Sequence, residues 1–274
     1  RPVVSTFAAF LTRAFDQIRM ASVSKASILF NGSHAGVSIG QDGESQMGVE
    51  DLAMFRAVLD STVVYPSDPY QTHALMKSLI ATQGIRYIRT TREATPTLYT
   101  SKDEFHIGGS HTFESSLTPV ATIIAAGITL HEALEAQKLL AQEQIGIRVI
   151  DCYSVKPIDV ETLKKAVTET KGIVVAEDHY PEGGLGEAVL SGLGSSLTVP
   201  FVHLAVRKTP RSATPAELLA YEAIDRNAMV AAVKNLQKKY NNEDIGISVK
   251  IIEDDYAAHR SEERRVGKSV FACV

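Results

Sequence analysis

The composition of this chain excludes several classes of protein. Its 274 residues, 45% of them hydrophobic, can bury the core of one to two domains, and its net charge of −4 gives no basic surface for nucleic acid. No apolar run approaches the ~20 residues that a bilayer requires, and the first residues lack the features of a signal peptide. The two cysteines, Cys152 and Cys273, make neither a disulfide framework nor a zinc site, so we expect a cytoplasmic protein. The charge and the lack of a long apolar run add the expectation that it binds neither nucleic acid nor membranes.

Helices and strands alternate along the first part of the chain. Apolar residues at helical spacing predict a first helix over residues 7–23. The elements predicted after it are a strand over 27–31, a helix over 47–58, a strand over 62–65, a helix over 70–82 and a strand over 85–90. Strands that alternate with helices imply a mainly parallel sheet, so residues 1–106 are predicted to form one α/β block.

A second α/β block is predicted for residues 120–240, after an interdomain linker over 107–119. Its first helix is expected to begin at Thr129 as N-cap, with Glu132 completing a capping box, and Asp225 is a plausible cap of the last helix. The predicted strands are 120–126, 147–150, 173–176 and 202–206, and the predicted helices after the first are 160–170, 186–193, 215–223 and 227–240. The fold class is therefore α/β, with two three-layer blocks and mainly parallel sheets. Residues 241–274 carry a dense charge run and no periodicity, which predicts a disordered or non-native tail.

The most informative stretch is residues 40–46, which read GQDGESQ. Its glycines allow the backbone to turn with φ > 0 between a strand that His34 closes and the helix that follows. The carboxylate of Asp42, the imidazole of His34 and the carboxamide of Gln46 can thus converge at the carboxyl end of a strand, where α/β sheets bind ligands. This set suits a small polyhydroxylated or phosphorylated substrate. An Asp before Gly is also common as a turn residue, so both interpretations of Asp42 are open at this point.

A family resemblance covers residues 2–240. Residues 40–56, GQDGESQMGVEDLAMFR, fit the signature of transketolases at every constrained position. The match continues in order with STFAAFLTRAFDQIRM before it and YIRTTR, GITLHEAL, AEDHYPEGGLGEAV and DRNAM after it. The chain resembles animal-type transketolases and transketolase-like proteins, which implies a truncated thiamine diphosphate pyrimidine-binding domain followed by the transketolase C-terminal domain. A start without methionine, inside an apparently ongoing element, is what we expect of a fragment.

The resemblance implies cofactor-binding roles for three residues. Phe10 matches the aromatic residue that contacts the aminopyrimidine ring, Phe7 is its neighbour, and Gln46 lies near the cofactor and substrate channel, where other family members carry histidine. Aromatic faces stack well on such a ring. The spacing alone is equally typical of two core phenylalanines on one helix face, and the resemblance favours the cofactor role more strongly for Phe10 than for Phe7.

It also implies a substrate end made of His34, Asp42 and Arg92. By match, Asp42 accepts a hydrogen bond from a sugar hydroxyl and so selects its configuration. His34 and Arg92 match the phosphate contacts, and an arginine offers a bidentate fork to a phosphate. Without the resemblance, Arg92 reads as a surface cation and His34 as a turn or core histidine.

The catalytic glutamate of the family lies ahead of STFAAF, so it would precede Arg1, and we assign no catalytic residue and no metal ligand to this chain. The resemblance implies thiamine diphosphate and Mg²⁺ anchored outside it, sugar phosphates as substrates and a homodimer partner that completes the site. The function expected is transfer of a two-carbon ketol unit in the pentose phosphate pathway, with the isolated chain inactive. The alternatives are a non-catalytic transketolase-like dimerisation module, or another thiamine diphosphate enzyme, such as a 2-oxo acid dehydrogenase beta subunit or deoxyxylulose-phosphate synthase.

Two further motifs of the second block resemble sites. Residues 183–186, GGLG, look like a phosphate cradle but lack the rest of a dinucleotide-binding context, so we predict a tight turn. Glu177, Asp178 and His179 look like metal ligands, yet three adjacent residues at a strand end cannot all face one ion. Cys152 is expected to be a small buried hydrophobe.

Overall fold

A computed structural model describes residues 2–242 of the chain. The strands are β1 Val3–Phe7, β2 Ile28–Ser33, β3 Thr62–Val64, β4 Ile85–Arg89, β5 His111–Phe113, β6 Pro119–Ala125, β7 Gly146–Asp151, β8 Ser154–Lys156, β9 Ile173–Ala176 and β10 Phe201–Leu204. The α-helices are α1 Phe15–Val23, α2 Asp51–Ala57, α3 Pro69–Ala81, α4 Ile128–Gln142, α5 Val160–Glu169, α6 Leu185–Leu193, α7 Pro215–Tyr221 and α8 Arg226–Asn242. The predicted tail from residue 241 lies outside the described residues, apart from the last two residues of α8, and so does Cys273.

The strands form two five-stranded sheets of the predicted, mainly parallel kind. The first sheet has the order β1-β2-β4-β3-β8 and the second has the order β10-β9-β6-β7-β5. All pairings are parallel except β3 with β8 and β5 with β7. The α/β fold class is thereby confirmed, and in each sheet the one antiparallel strand lies at an edge.

Helices cover both faces of each sheet, which gives two three-layer blocks with a shared core. On one face of the first sheet, α3 packs its Leu75 and Leu79 against Leu29 and Ile88. On one face of the second sheet, α4 and α8 pack against residues of β6, β7 and β9. The two remaining faces belong to one continuous apolar cluster, which joins side chains of α1 and α2 to side chains of α5 and α6. The blocks are therefore packed together through apolar side chains and not merely tethered.

The predicted helix over residues 7–23 is wrong in its first half. Phe7 ends β1, residues Ala8–Ala14 form a 3₁₀ segment, and the α-helix begins only at Phe15. Val3, Val4 and Thr6 are β-branched, and β1 pairs with β2 from Val3 to Phe7, so tertiary pairing outweighs the helical spacing of the apolar residues. Phe7 and Phe10 consequently lie on either side of a strand-to-turn junction and not on one helix face.

Besides β1, two short strands were not predicted. Strand β5 lies within residues 107–119, the predicted linker, and pairs antiparallel with β7. Strand β8 belongs to the second block by its place in the sequence, but it pairs antiparallel with β3 of the first sheet. The domain boundaries remain a prediction, but the second block contributes a strand to the sheet of the first.

The capping box predicted at the start of α4 is also wrong. The N-cap is Gly127, and the Thr129 hydroxyl donates to the carbonyls of Ala126 and Ala176. The Glu132 carboxylate instead accepts hydrogen bonds from Nε and Nη2 of Arg226 at the start of α8. The predicted cap of α8 is confirmed, because Asp225 accepts from the amide of Ala228 at 3.0 Å.

A buried carboxylate lies where β7 ends between the two blocks. Asp151 is fully buried and accepts hydrogen bonds from Gln71 Nε2 and the Tyr99 hydroxyl, both at 2.7 Å, and from Ser67 Oγ at 3.3 Å. Burial raises the pKa of Asp151 to about 7, although the three donors oppose the rise. The folded protein therefore binds a proton here at pH values where the unfolded chain has lost it.

We expect the free energy of unfolding to fall as pH rises from about 4 to about 7, and to fall less steeply in Asp151→Asn. Between the unfolded pKa of 3.8 and the folded pKa of about 7, only the folded state holds the proton of Asp151, so each step up in pH favours unfolding. Urea unfolding of both chains across this pH range measures the two slopes. Parallel slopes would show that Asp151 does not titrate in this interval.

Candidate functional site

The carboxyl ends of β1, β2 and β4 meet at one edge of the first sheet. These strands are parallel neighbours, with Phe7 paired to Ser33 at the ends of β1 and β2. Phe7 ends β1, His34 directly follows β2, and Arg92 follows β4 by three residues. Their common edge is where parallel sheets bind ligands, and the structure brings most of the predicted site residues to it.

Three aromatic rings stack at this edge. The ring of Phe7 lies 5.4 Å from that of Phe10, at an interplanar angle of 3°, and 3.8 Å from the imidazole of His34, at 10°. Phe10 forms the outer end of this stack and is 51% exposed. Phe7 thus connects the predicted cofactor contact, Phe10, to a predicted substrate contact, His34.

His34 is held in an unusual backbone conformation. Its φ is +55°, in the left-handed region that few residues other than glycine adopt. Its Nδ1 lies 3.1 Å from Ser33 Oγ, and Gly36 two residues later also has positive φ, at +80°. These two turns direct the chain from β2 into the segment Val37–Asp42, which ends in the predicted substrate carboxylate.

Asp42 and Arg92 form an ion pair with each other. Arg92 Nη1 lies 3.0 Å from Asp42 Oδ1 and donates to the Ile39 carbonyl at 3.3 Å. The two side chains retain 25% and 38% exposure, so solvent and solutes reach both. The pair combines a carboxylate, which can accept from hydroxyl groups, with a guanidinium, which can bind a phosphate, and their substrate roles stay predictions.

Gln46 lies on a separate turn. It belongs to the short 3₁₀ segment Glu44–Gln46, which packs against the Ala8–Ala14 segment that carries Phe10. Next to it, Gly48 approaches the side chain of Ala8 so closely that a Cβ at Gly48 would clash with Ala8. The structure therefore places Gln46 on the Phe10 side of the site, and its role near the cofactor stays a prediction.

Residues of the second block anchor the Val37–Asp42 segment of the first block. Sequence reasoning did not predict these contacts. The Asp178 carboxylate, just beyond β9, accepts from the Val37 amide at 2.7 Å and from Ser38 Oγ at 2.9 Å. Ser212 Oγ donates to the Gln41 carbonyl at 2.7 Å. Apolar side chains of α7 pack with Val37 and Ile39 in one buried cluster. The loop that carries Asp42 is thus anchored by contacts that join the two blocks.

A buried ion pair supports the base of the site. Arg89, the last residue of β4, donates Nε to Asp51 at 2.9 Å and Nη2 to the carbonyls of Gly48 and Asp178, and both charged side chains are fully buried. Tyr87 also donates to Asp51. Burial alone would lower the pKa of Arg89, but the charge of Asp51 together with Tyr65, Asp178 and Tyr87 outweighs it, so the net shift is upward. Arg89 stays charged and links β4, α2 and the second block.

The other two motifs of the second block behave as structural elements. Glu177, Asp178 and His179 point to different partners: the amides of Leu185 and Gly186, the Val37–Asp42 segment, and the amide of Ala53, respectively. Gly184 lies so close to Glu177 that a Cβ there would overlap the carboxylate, which explains the glycine turn before α6. Cys152 is fully buried, as predicted. Across residues 2–242 no group of three or more His, Cys, Asp or Glu side chains is arranged to hold a metal ion.

Within the part of the chain that the structure describes, no helix combines the length and apolarity of a membrane span.

Comparisons with known proteins match both blocks. The family model "Transketolase, pyrimidine binding domain" matches residues 1–97, and "Transketolase, C-terminal domain" matches residues 116–229. The chain is 49% identical over 239 residues to human transketolase (Homo sapiens) and 48% identical over 237 residues to mouse transketolase-like protein 2 (Mus musculus). These alignments cover 87% and 86% of the chain but only 38% of each relative, so the chain spans under two fifths of their length.

A solved structure has the same architecture, and its length is closer to that of this chain than the lengths of the two relatives are. It is described as "Split gene transketolase, inactive beta4 tetramer", and it superimposes with a TM-score of 0.79 at 34% sequence identity. The superposition covers 86% of this chain and 76% of that one. With both domain matches in the expected order, this agreement shows that the chain belongs to the transketolase family.

Proposed function

We propose that this chain supplies the pyrimidine-contacting wall and the sugar-binding edge of a thiamine diphosphate-dependent transketolase. The reaction is transfer of a two-carbon ketol unit from a ketose phosphate to an aldose phosphate, as in the pentose phosphate pathway. The observation that supports it is the meeting of the Phe10–Phe7–His34 stack with the Asp42–Arg92 pair at one sheet edge. An aromatic wall beside a hydroxyl acceptor and a phosphate cation fits a flat cofactor ring beside a sugar phosphate.

The residues present fit the pyrimidine end of the cofactor. Phe10 offers a ring face that is half exposed and backed by Phe7, so a second flat ring can stack on it without moving the core. Gln46, on the adjacent turn, can offer a carboxamide to polar atoms near that ring. When bound, the cofactor supplies the carbon atom that carries the ketol unit between the two sugars, and this chain's residues position the groups around it.

The substrate residues act by binding and orienting. Asp42 accepts from a sugar hydroxyl, and Arg92 donates its guanidinium fork to the phosphate, with His34 as the second phosphate contact. Because Arg92 already contacts Asp42, an incoming phosphate would share a guanidinium that is held near the Asp42 carboxylate. The hydroxyl contact and the phosphate contact are spaced along one sugar phosphate. Together they select the length of the sugar's carbon chain and the configuration of its hydroxyl.

The remaining parts of the active site are proposed to come from outside this chain. We assign the activating glutamate, the diphosphate anchor and Mg²⁺ to a diphosphate-binding domain, and completion of the site to a homodimer partner. Stacking on Phe10 is worth on the order of 1 kcal/mol, whereas a micromolar complex needs roughly 8. The isolated chain is therefore proposed to be inactive and to bind thiamine diphosphate only weakly.

A chimera tests this function directly. The chain replaces the matching segment of human transketolase, and ketol transfer from xylulose 5-phosphate to ribose 5-phosphate is assayed beside intact human transketolase and the isolated chain. We expect transfer by the chimera and by the intact enzyme, and none by the isolated chain. A folded chimera that binds cofactor but transfers nothing would overturn the proposal, and so would micromolar cofactor binding by the isolated chain in calorimetric titration.

A second candidate is a non-catalytic transketolase-like module that acts through dimerisation. It is favoured by the similarity to a transketolase-like protein and to a structure described as inactive. The inactive chimera described above would support it. Another thiamine diphosphate enzyme, such as a 2-oxo acid dehydrogenase beta subunit or deoxyxylulose-phosphate synthase, is less well supported. The phosphate and hydroxyl contacts offered by Arg92, His34 and Asp42 suit a sugar phosphate better than a 2-oxo acid.

In the chimera, Arg92→Ala is expected to raise the KM for phosphorylated substrates by about ten- to a hundredfold, and that for unphosphorylated sugars far less. The reason is loss of a charge-assisted bond to phosphate, worth ~1.5–3 kcal/mol. Initial-rate kinetics with both substrate types measure the difference. Arg19→Ala, an exposed arginine that is paired on α1, is the matched control. Equal losses for both substrate types would remove Arg92 from the phosphate site.

A further inference from the structure

Asp178 is a fully buried carboxylate of the second block whose hydrogen bonds go to the first. Its Oδ1 accepts from the Val37 amide at 2.7 Å, and its Oδ2 accepts from Ser38 Oγ at 2.9 Å and from the Ser38 amide at 3.4 Å. All three donors belong to the Val37–Asp42 segment, at the end opposite to Asp42. A buried carboxylate with several donors is costly to leave unpaired, so this contact fixes where the segment begins.

The chain is shaped to admit this carboxylate. At Gly36 a Cβ would overlap both carboxylate oxygens of Asp178, and the residue has a φ of +80°. Only glycine meets both demands without strain. The Gly36 amide also donates to the Gly48 carbonyl at 2.7 Å, which ties the start of the segment to the stretch before α2.

The far end of the same segment is fixed by other residues of the second block. The Gln41 carbonyl accepts from Ser212 Oγ, and Gly40 lies against Pro215 at the start of α7. Asp42 is the next residue after this attachment, and its own contact with Arg92 is to the first block. Asp178 and Ser212, both in the second block, are therefore the two anchors of the backbone that carries Asp42.

We infer that Asp178 is a positioning residue, which sets the place of the Asp42 carboxylate for substrate binding from the second block. This inference rests on the substrate role of Asp42 in the proposed function. It predicts that loss of Asp178 releases the Val37–Asp42 segment without unfolding the second block. It also predicts that binding of sugar phosphates weakens while binding of the cofactor ring, which contacts Phe10, does not.

Hydrogen exchange of the full 274-residue chain tests the release. In Asp178→Ala the amides of Val37 and Ser38 lose their acceptor, and we expect exchange of a peptide over residues 37–42 to speed up by about ten- to a hundredfold. Asp178→Asn keeps one acceptor oxygen, so it should lie between Asp178→Ala and wild type. Peptides from β9 and α6 are internal references and should change little in both variants.

Glu177→Gln is the matched control. Glu177 is also a buried carboxylate of the second block, but its partners, the amides of Leu185 and Gly186 and the His203 ring, all lie within that block. Its replacement should leave exchange over residues 37–42 unchanged. Identical exchange profiles for Asp178→Asn and Glu177→Gln, or an unchanged 37–42 peptide in Asp178→Ala, would overturn the inference.

The kinetic consequence is measured in the chimera. Asp178→Asn is expected to raise the KM for sugar phosphates several-fold and to leave thiamine diphosphate affinity unchanged, whereas a general loss of packing would weaken both. A parallel loss of cofactor affinity would contradict a positioning role. If the wild-type chimera transfers no ketol unit, the proposed function fails by itself, and hydrogen exchange still decides whether Asp178 holds the segment.

Discussion

Asp51→Ala is expected to lower the free energy of unfolding by about 3–5 kcal/mol, because it leaves the buried guanidinium of Arg89 without its counter-charge. Both side chains of this pair are fully buried, and Tyr87 would lose its acceptor as well. Urea unfolding of the full chain, followed by circular dichroism, measures the loss. It is a large part of the 5–15 kcal/mol that stabilises a typical protein.

The double variant Asp51→Leu with Arg89→Met separates the cost of an orphaned charge from the worth of the pair. Replacing both ions with apolar side chains of similar size leaves no unpaired charge, so we expect it to recover most of the stability. The exposed pair of Arg19 with Asp16 is the comparison, since Asp16→Ala should cost less than about 1 kcal/mol. An Asp51→Ala variant as stable as Asp16→Ala would show that the buried pair is not what links β4 to α2.

Asp42→Ala is expected to reduce turnover of the chimera by about ten- to a hundredfold, with thiamine diphosphate affinity nearly unchanged. Under the proposed function it removes one charge-assisted hydrogen bond to a sugar hydroxyl, worth ~1.5–3 kcal/mol. Its pair with Arg92 is partly exposed, so the fold should lose less than about 1 kcal/mol. Steady-state kinetics and cofactor titration measure the two effects.

Glu44→Ala is the control for Asp42→Ala, because Glu44 is an exposed carboxylate two residues further along the chain. It should leave turnover unchanged. If the two variants behave alike, or if Asp42→Ala weakens cofactor binding as much as turnover, the substrate role of Asp42 is wrong.

Sequence reasoning reached much of the candidate site because strand-end geometry is local. The carboxyl ends of neighbouring parallel strands meet, so residues that follow those strands, such as His34 and Arg92, can be grouped from the order of the elements along the chain. The resemblance then assigned the individual roles. The stack of Phe7 on His34 was not predicted, because the helical spacing of Phe7 and Phe10 concealed the strand that ends at Phe7.

Sequence reasoning could not predict the contacts of the second block with the Val37–Asp42 segment, and the reason is different. Asp178 and Val37 are 141 positions apart, and no spacing rule links them. The sequence offered two weak signals: a carboxylate two residues after the predicted strand 173–176, and a glycine, Gly36, two residues after His34. Strand β8 was missed similarly, since three residues are too few for a period and its partner β3 lies in the other block.

The shared core restricts where a gene for such a protein can be divided. Side chains from both blocks, among them Tyr65 of the first and Ile150, Cys152 and Val155 of the second, belong to one buried cluster. A break within residues 93–118 would leave two polypeptides that each expose one side of this cluster, and the first would also lack β8 at its sheet edge. Such polypeptides would have to associate with each other during synthesis, before their exposed apolar surfaces aggregate. The two blocks are therefore expected to be inherited, duplicated and exchanged as one genetic unit.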